Sequence, residues 1–258
     1  MKIFDLPHAQ HITNARLQVL DRIIEECNFG ISTALDAGTG VGAFASNLFR
    51  KYKFQVTAFD ARPSNVEEAQ KRYPEIKFVV GNVENPEIVQ LGKFDLVTAF
   101  GLFYHLENPF IAAQNLAQMT QGILVVESMI APGRELKALL IDEYPGEDQA
   151  IRYVAFNLTE SGLIKLLYRS GMPYVYRSTF KVDHEDFRGG LFRRRMRTIL
   201  IASRFSLDST HFKLVPEPHY RLDRPYYYRT PLRPIFKFML TLFRSARQAL
   251  IKASVRQG

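Results

Sequence analysis

Cysteine is almost absent from this chain: Cys27 stands alone among 258 residues. A single thiol excludes an intramolecular disulfide and a thiolate metal cluster, and it fits a reducing compartment, so a cytoplasmic location is expected. Long apolar runs are missing too. The greasiest stretch, 235–243, contains Lys237 and is about half the length needed to span a bilayer. The first thirty residues carry Asp5, Asp21, Glu25 and Glu26 and offer no run of signal-peptide type. Metal patterns are also lacking. His8, His11, His184, His211 and His219 show no zinc-ligand spacing and no acidic loop of EF-hand type occurs, so no metal is expected. No internal repeat or low-complexity tract is evident.

Acidic residues run out toward the end of the chain. From position 188 onward sixteen Lys and Arg face only Asp208, Glu217 and Asp223, a net +13, which leaves −5 of the total +8 for residues 1–187. The basic character belongs to an appendage. Within it, Ile235, Met239, Leu242, Phe243, Ala246, Leu250 and Ala253 fall on one face of a helix, with Arg233, Lys237, Arg244 and Lys252 opposite. Residues 231–256 therefore read as a basic amphipathic helix. It suits peripheral contact with an anionic membrane or packing on the protein's own core; RNA is drawn by the charge but has less use for the apolar stripe.

What is present, with 47% apolar and 23% charged residues, is a globular α/β pattern. Helical spacing over 12–27 gives a lead-in helix within a segment 1–30. Strand-like and helix-like segments then alternate: 32–37, 42–51, 54–60, 64–73, 76–80, 94–100, 109–119, 122–127 and 159–170. Alternation of this kind implies βαβ units and a mostly parallel sheet with helices on both faces, here over 31–204. Two strand-like runs without an intervening helix, 174–180 and 197–204, close a Rossmann-like seven-stranded sheet with an antiparallel final pair. Residues 128–158, with Pro132, Gly133, Pro145, Gly146 and a short helical stretch, interrupt the pattern after a strand's carboxyl end and read as a substrate cover. Residues 205–258 form the basic extension.

The first strand leads into Leu35-Asp36-Ala37-Gly38-Thr39-Gly40-Val41-Gly42, immediately before a helix. Glycines in such a turn let the backbone bend sharply and approach a ligand closely. Gly38, Gly40 and Ala43 also satisfy the G-x-G-x-x-G/A dinucleotide pattern, so the loop alone leaves NAD and S-adenosylmethionine (SAM) both open. The next apolar strand ends in Asp60, a carboxylate able to accept from ribose hydroxyls, with Ala61 beside it. Asn82 and Val83 follow the third strand, Asn82 reading equally as an ordinary turn residue. The fourth strand ends at Phe100 and Gly101, followed by Tyr104-His105 and a helix opened by Pro109.

The Asp36–Gly42 run resembles the D/E-x-G-x-G-x-G first motif of class I SAM-dependent methyltransferases. The stretch 94–109 is similar to their region after strand four, nearest to the subgroup containing tRNA wobble-uridine carboxymethyltransferases. The resemblance implies SAM as cofactor, held by Asp36, Gly38, Thr39, Gly40, Gly42, Asp60, Ala61, Asn82, Val83, Phe100 and Gly101. It implies methyl transfer to an oxygen or nitrogen of a small molecule, glycan or lipid precursor, or of tRNA in the wobble-uridine alternative. An NAD-linked oxidoreductase lacks its suitably placed Tyr-x-x-x-Lys pair, and a non-catalytic SAM-binding protein is the remaining class. For an oxygen acceptor a general base helps, and His105 on the loop beyond strand four is the candidate; the competing reading is that it shapes that loop beside Tyr104. Glu127, at the end of the fifth strand, is read as a strand terminus.

Overall fold

The computed structural model describes residues 3–27, 29–144, 149–189 and 194–219. The candidate amphipathic helix at 231–256 lies outside them. One compact unit ends at Pro218.

Its framework is an eight-stranded sheet. In chain order the strands are β1 (Thr33–Ala37), β2 (Gln55–Asp60), β3 (Lys77–Val80), β4 (Phe94–Phe100), β5 (Thr120–Met129), β8 (Tyr174–Ser178), β9 (Arg197–Ser203) and β10 (Phe212–Leu214). Their spatial order is β10-β8-β9-β5-β4-β1-β2-β3. The pairs from β3 through β5 are parallel, whereas β9 runs antiparallel to both β5 and β8, giving the expected antiparallel final pair. The helices are α1 (Pro7–Glu26), α2 (Ala43–Tyr52), α3 (Pro63–Arg72), α4 (Pro109–Met119) and α5 (Glu160–Arg169).

Both faces of the sheet are buried, which is why its strands read as apolar runs. Period-two alternation splits them. Leu35, Val97, Ala99, Leu124 and Val126 pack with Leu116 of α4 and Leu163 and Leu167 of α5. Their neighbours Ala34, Leu96, Ile123 and Val125 pack on the opposite face with Val19, Leu20 and Ile23 of α1 and with Leu48 of α2. Filling the sheet from both sides leaves the carboxyl ends of β1, β2 and β4 open at one edge, where α/β sheets bind ligands.

Three boundaries depart from the sequence reading. The lead-in helix begins at Pro7 rather than near position 12, because proline is preorganised for a helix's first turn and the backbone N–H it lacks would be unbonded there anyway. The sheet gains an eighth strand, β10, whose three residues bury only Phe212 and so carry too little alternation to be read; short edge strands bearing Lys, here Lys213, resist sheet-to-sheet association. Among the described residues of 128–158 there is no helix but an antiparallel ribbon of β6 (Ala138–Asp142) on β7 (Val154–Leu158). A five-residue run is too short to sustain a helix by itself, and the cross-strand ladder satisfies its backbone instead. No helix among the described residues is long and apolar enough to cross a membrane.

Candidate active site

The loop between β1 and α2 turns on three left-handed glycines, Gly38, Gly40 and Gly42, with φ of +68°, +56° and +89°. At Gly40 a Cβ would stand 2.9 Å from the ring of Phe4, because the N-terminal turn Ile3–Asp5 lies on the loop. Asp5 fixes that turn by pairing with both Nη atoms of Arg72 on α3, at 2.9 and 2.8 Å.

Two carboxylates set the loop's shape. Asp36, fully buried, accepts from Thr39 Oγ1 at 2.6 Å, Thr98 Oγ1 at 2.8 Å and the Ala45 amide at 3.1 Å. Burial pushes its pKa up to about 6 against the pull of those bonds. Asp60 accepts from the Gly40 amide through Oδ2 at 2.9 Å, and from the Arg62 amide and Asn65 through Oδ1 at 2.9 and 3.1 Å. Burial raises its pKa as well, with the backbone bonds opposing. A carboxylate has about four acceptor positions, so roughly one stays open toward the crevice.

A crevice of about 690 Å³ opens above these strand ends. Gly38, Thr39, Gly40, Asp60, Ala61, Asn82, Val83, Phe100, Gly101 and His105 all line it. Asp36 and Gly42 do not. Asp36 is spent beneath the loop, organising it from below. Gly42 is packed against α3 and β3, where a Cβ would meet Tyr73 and Phe78 at 3.0 Å. Asn82 behaves in part as the turn residue foreseen: its Oδ1 accepts the Glu84 amide at 2.9 Å and keeps a second lone pair.

His105 sits in the short helical turn Phe103–His105 after β4. Its Nδ1 lies 2.5 Å from Oε1 of Glu143, at the end of the β6–β7 ribbon, and both side chains are largely buried. Glu143 Oε2 accepts the Ala150 amide at 2.7 Å. Burial works to raise the Glu143 pKa, but the bonds from His105, Ala150 and Gln149 overcome it and hold the carboxyl below its usual range. An ionised carboxylate only accepts, so Nδ1 carries a proton, and in the neutral form of the ring the acceptor is Nε2. The ring also lies 4.2 Å, centroid to centroid, from Tyr104.

The crevice floor holds a charge cluster. Glu127 is not a strand end, since β5 continues to Met129. Fully buried, it meets Arg16 of α1 at 2.7 Å and Arg197 of β9 at 3.1 Å. Tyr104 Oη accepts from both arginines at 3.4 Å. Burial alone would lower the Arg197 pKa; Glu127 and Tyr104 reverse this and keep it charged. Sequence reading missed Phe4, Arg16, Glu143 and Arg197, whose partners lie far off in the chain. Among the described residues no group of His, Cys, Asp and Glu is arranged to hold a metal.

Residues 34–121 match the family of methyltransferase domains. No curated protein matches the chain. Among solved structures, the chain is similar to the N-terminal domain of EvdMO1 with SAH bound: 18% identity, 74% of this chain and 80% of that one, TM-score 0.57. Magnesium protoporphyrin IX methyltransferase (ChlM) from Synechocystis PCC 6803 with bound SAM gives 20%, 79%, 88% and 0.53. A SAM-dependent methyltransferase from Clostridium acetobutylicum ATCC 824 gives 12%, 77%, 92% and 0.54. The matched methyltransferase domain, carried on this sheet with its glycine loop and Asp60 at successive strand ends, makes the chain a SAM-dependent methyltransferase. S-adenosylmethionine is its cofactor.

Proposed function

We propose that the enzyme methylates a hydroxyl group on a small molecule or glycan, with His105 as general base and Glu143 as the group that orients it. The observation that carries this reading is the 2.5 Å contact between His105 Nδ1 and Glu143 Oε1 at the wall of the crevice. A loop-shaping histidine has no need of a buried carboxylate that fixes its tautomer, whereas a base does. The residue set fits the cofactor: the Gly38–Gly40 backbone allows close approach, Asp60 retains an acceptor for a ribose hydroxyl, and Asn82 and Val83 line the crevice beyond β3, where the adenine would lie. SAM supplies a methyl group already activated on a sulfonium.

The acceptor oxygen forms the new C–O bond as the methyl carbon leaves sulfur, and its proton passes to His105 Nε2. The products are a methyl ether, S-adenosylhomocysteine and an imidazolium that Glu143 stabilises. Alignment within the crevice carries much of the acceleration and the base adds to it. A solved structure of the same fold, the [4+2]-cyclase SpnF, at 15% identity and a TM-score of 0.52, bears the name of a different chemistry, so the dyad rather than the sheet carries the reaction assigned to this crevice. A sugar-like acceptor is supported by another, the EvdMO1 domain determined in the presence of SAH and D-fucose, at 17% identity and a TM-score of 0.58.

A lipid precursor met at an anionic membrane through 231–256 stays within this proposal. The tRNA-modifying reading draws on the charge of the basic extension, and no feature of the crevice favours it. The test is transfer of labelled methyl from SAM across a panel of sugars, glycolipid precursors and bulk tRNA. Methyl ether formation that collapses in His105→Gln supports the reading. Transfer confined to tRNA, or full turnover in that variant, refutes it.

A further inference from the structure

The β6–β7 ribbon stands outside the main sheet, and two antiparallel strands by themselves are marginally stable in water. Its tip nevertheless holds one shape. Beyond the last ladder pair the Glu143 amide donates to the Tyr153 carbonyl at 2.8 Å. Tyr153 itself has a left-handed backbone, φ +59°, which a non-glycine residue keeps only where its surroundings impose it.

One tie at that tip comes from the cofactor end of the sheet. Arg62 follows Asp60 by two positions and immediately precedes α3. Its Nη2 donates to the Ala150 carbonyl at 2.9 Å, and its Nε, more weakly, to the Gln149 carbonyl at 3.4 Å. A guanidinium makes a charge-assisted bond, about twice as strong as a neutral one. Ala150 is buried, and its amide is the one that Glu143 Oε2 accepts at 2.7 Å. That amide and the Gln149 carbonyl belong to one planar peptide group, so holding the carbonyl side sets the direction of the N–H. Glu143 is thereby pinned through both oxygens, by Ala150 on one and by His105 on the other. The anchor of the guanidinium is fixed in turn, since Asp60 Oδ1 accepts the Arg62 amide at 2.9 Å. Four hydrogen bonds in succession thus join Asp60, the carboxylate assigned to the ribose, to His105.

We propose that Arg62 is a positioning residue for methyl transfer: it holds the Gln149–Ala150 peptide so that Glu143 keeps His105 in its working orientation. The inference rests on His105 acting as the base. Two plainer roles compete with it, because Arg62 also lines the crevice: a direct contact to the cofactor, and a clip that only steadies the ribbon.

The experiment uses full-length wild type, Arg62→Gln, Arg62→Lys, Glu143→Gln and the double variant of Arg62→Gln with Glu143→Gln. Three quantities are read: methyl transfer at saturating SAM, SAM affinity by calorimetry, and hydrogen exchange of the Ala150 amide. Every variant keeps the backbone amide that Asp60 accepts. In Arg62→Gln, kcat is expected to fall by about 10-fold with SAM affinity within about threefold of wild type, and the Ala150 amide to exchange about 10-fold faster or more. The double variant should be no slower than Glu143→Gln alone, because Arg62 acts through Glu143. Arg62→Lys should recover most of the turnover and protection, since an ammonium can replace the one strong bond to Ala150. A clip or a cofactor contact predicts otherwise. Full turnover in Arg62→Gln, an undiminished further loss in the double variant, a loss of SAM affinity with kcat unchanged, or a lysine as slow as the glutamine overturns the inference and leaves the base assignment standing. Full turnover in Glu143→Gln overturns both.

Discussion

Replacing Glu143 with Gln is nearly isosteric, yet it strikes at the step the His105 assignment depends on. Glu143 accepts a hydrogen bond from His105 Nδ1 with one oxygen and from the Ala150 amide with the other. A glutamine has a single acceptor oxygen. If that oxygen keeps Ala150, its NH₂ faces His105 Nδ1, which must then accept, moving the ring proton to Nε2 and removing the base. If the oxygen keeps His105, the NH₂ meets the Ala150 N–H and two donors oppose each other in a buried place, at a cost of about 1–3 kcal/mol. The lower-cost arrangement is the one that disables the ring. Turnover is expected to fall by about 10²-fold or more, the range general-base catalysis contributes. SAM affinity should stay near wild type, because Glu143 does not line the crevice. The assay is initial-rate methyl transfer with the acceptor found in the panel, alongside direct titration of SAM. His105→Gln should lose a similar factor, and the double variant little more, since the two side chains act as one unit. Turnover of Glu143→Gln within about threefold of wild type would refute the reasoning and leave the pair as a tie between ribbon and loop.

Other expectations follow from the same geometry. Asp60→Asn should weaken SAM binding by about 1.5–3 kcal/mol through a lost charge-assisted bond to ribose, read by calorimetry; unchanged affinity in a folded variant speaks against the site. For Asp36, the folded pKa of about 6 lies above an unfolded value of about 3.9, so the folded state favours the protonated form. Its contribution to stability is present below about pH 4 and is lost as pH rises through about 6. Urea unfolding should accordingly show wild type gaining on Asp36→Asn as pH is lowered from 7.5 to 4; a constant gap contradicts the burial argument. Full-length protein should sediment with anionic vesicles at low salt and less at high salt, while a chain ending at Pro218 should not, each basic residue near the surface adding about 1 kcal/mol. Equal, negligible sedimentation of both chains removes the membrane proposal.

The parts that could be read from sequence are those governed by short-range rules. β4 and α4 have the bounds the apolar run and Pro109 indicated, and the glycine loop falls between β1 and α2 as expected. Strand ends carry Asp60, Asn82 and Gly101 to one edge because a parallel sheet aligns its carboxyl termini. What was not legible depends on pairing across distance. The β6–β7 ribbon needs partners twelve to twenty residues away in register, Asp142 with Val154 at one end and Ala138 with Leu158 at the other, and neither strand alone outcompetes a helix reading. Glu143 becomes significant only once that ribbon folds over His105. Glu127 gave no sign of its role because a carboxylate in a strand is explained only by its cations, and Arg16 and Arg197 come from opposite ends of the domain. Asp36 was legible as a motif residue, but its place beneath the loop follows from Thr39 and Thr98 turning toward it.

The central claim is that the crevice at the ends of β1, β2 and β4 binds SAM, and the most direct measurement is calorimetric titration of the purified full-length protein with SAM, S-adenosylhomocysteine and NAD in separate runs. Saturable one-to-one binding of the two sulfur nucleosides, weakened in Asp60→Asn, is expected, and no binding of NAD. Saturable binding of NAD with none of either sulfur nucleoside would contradict it.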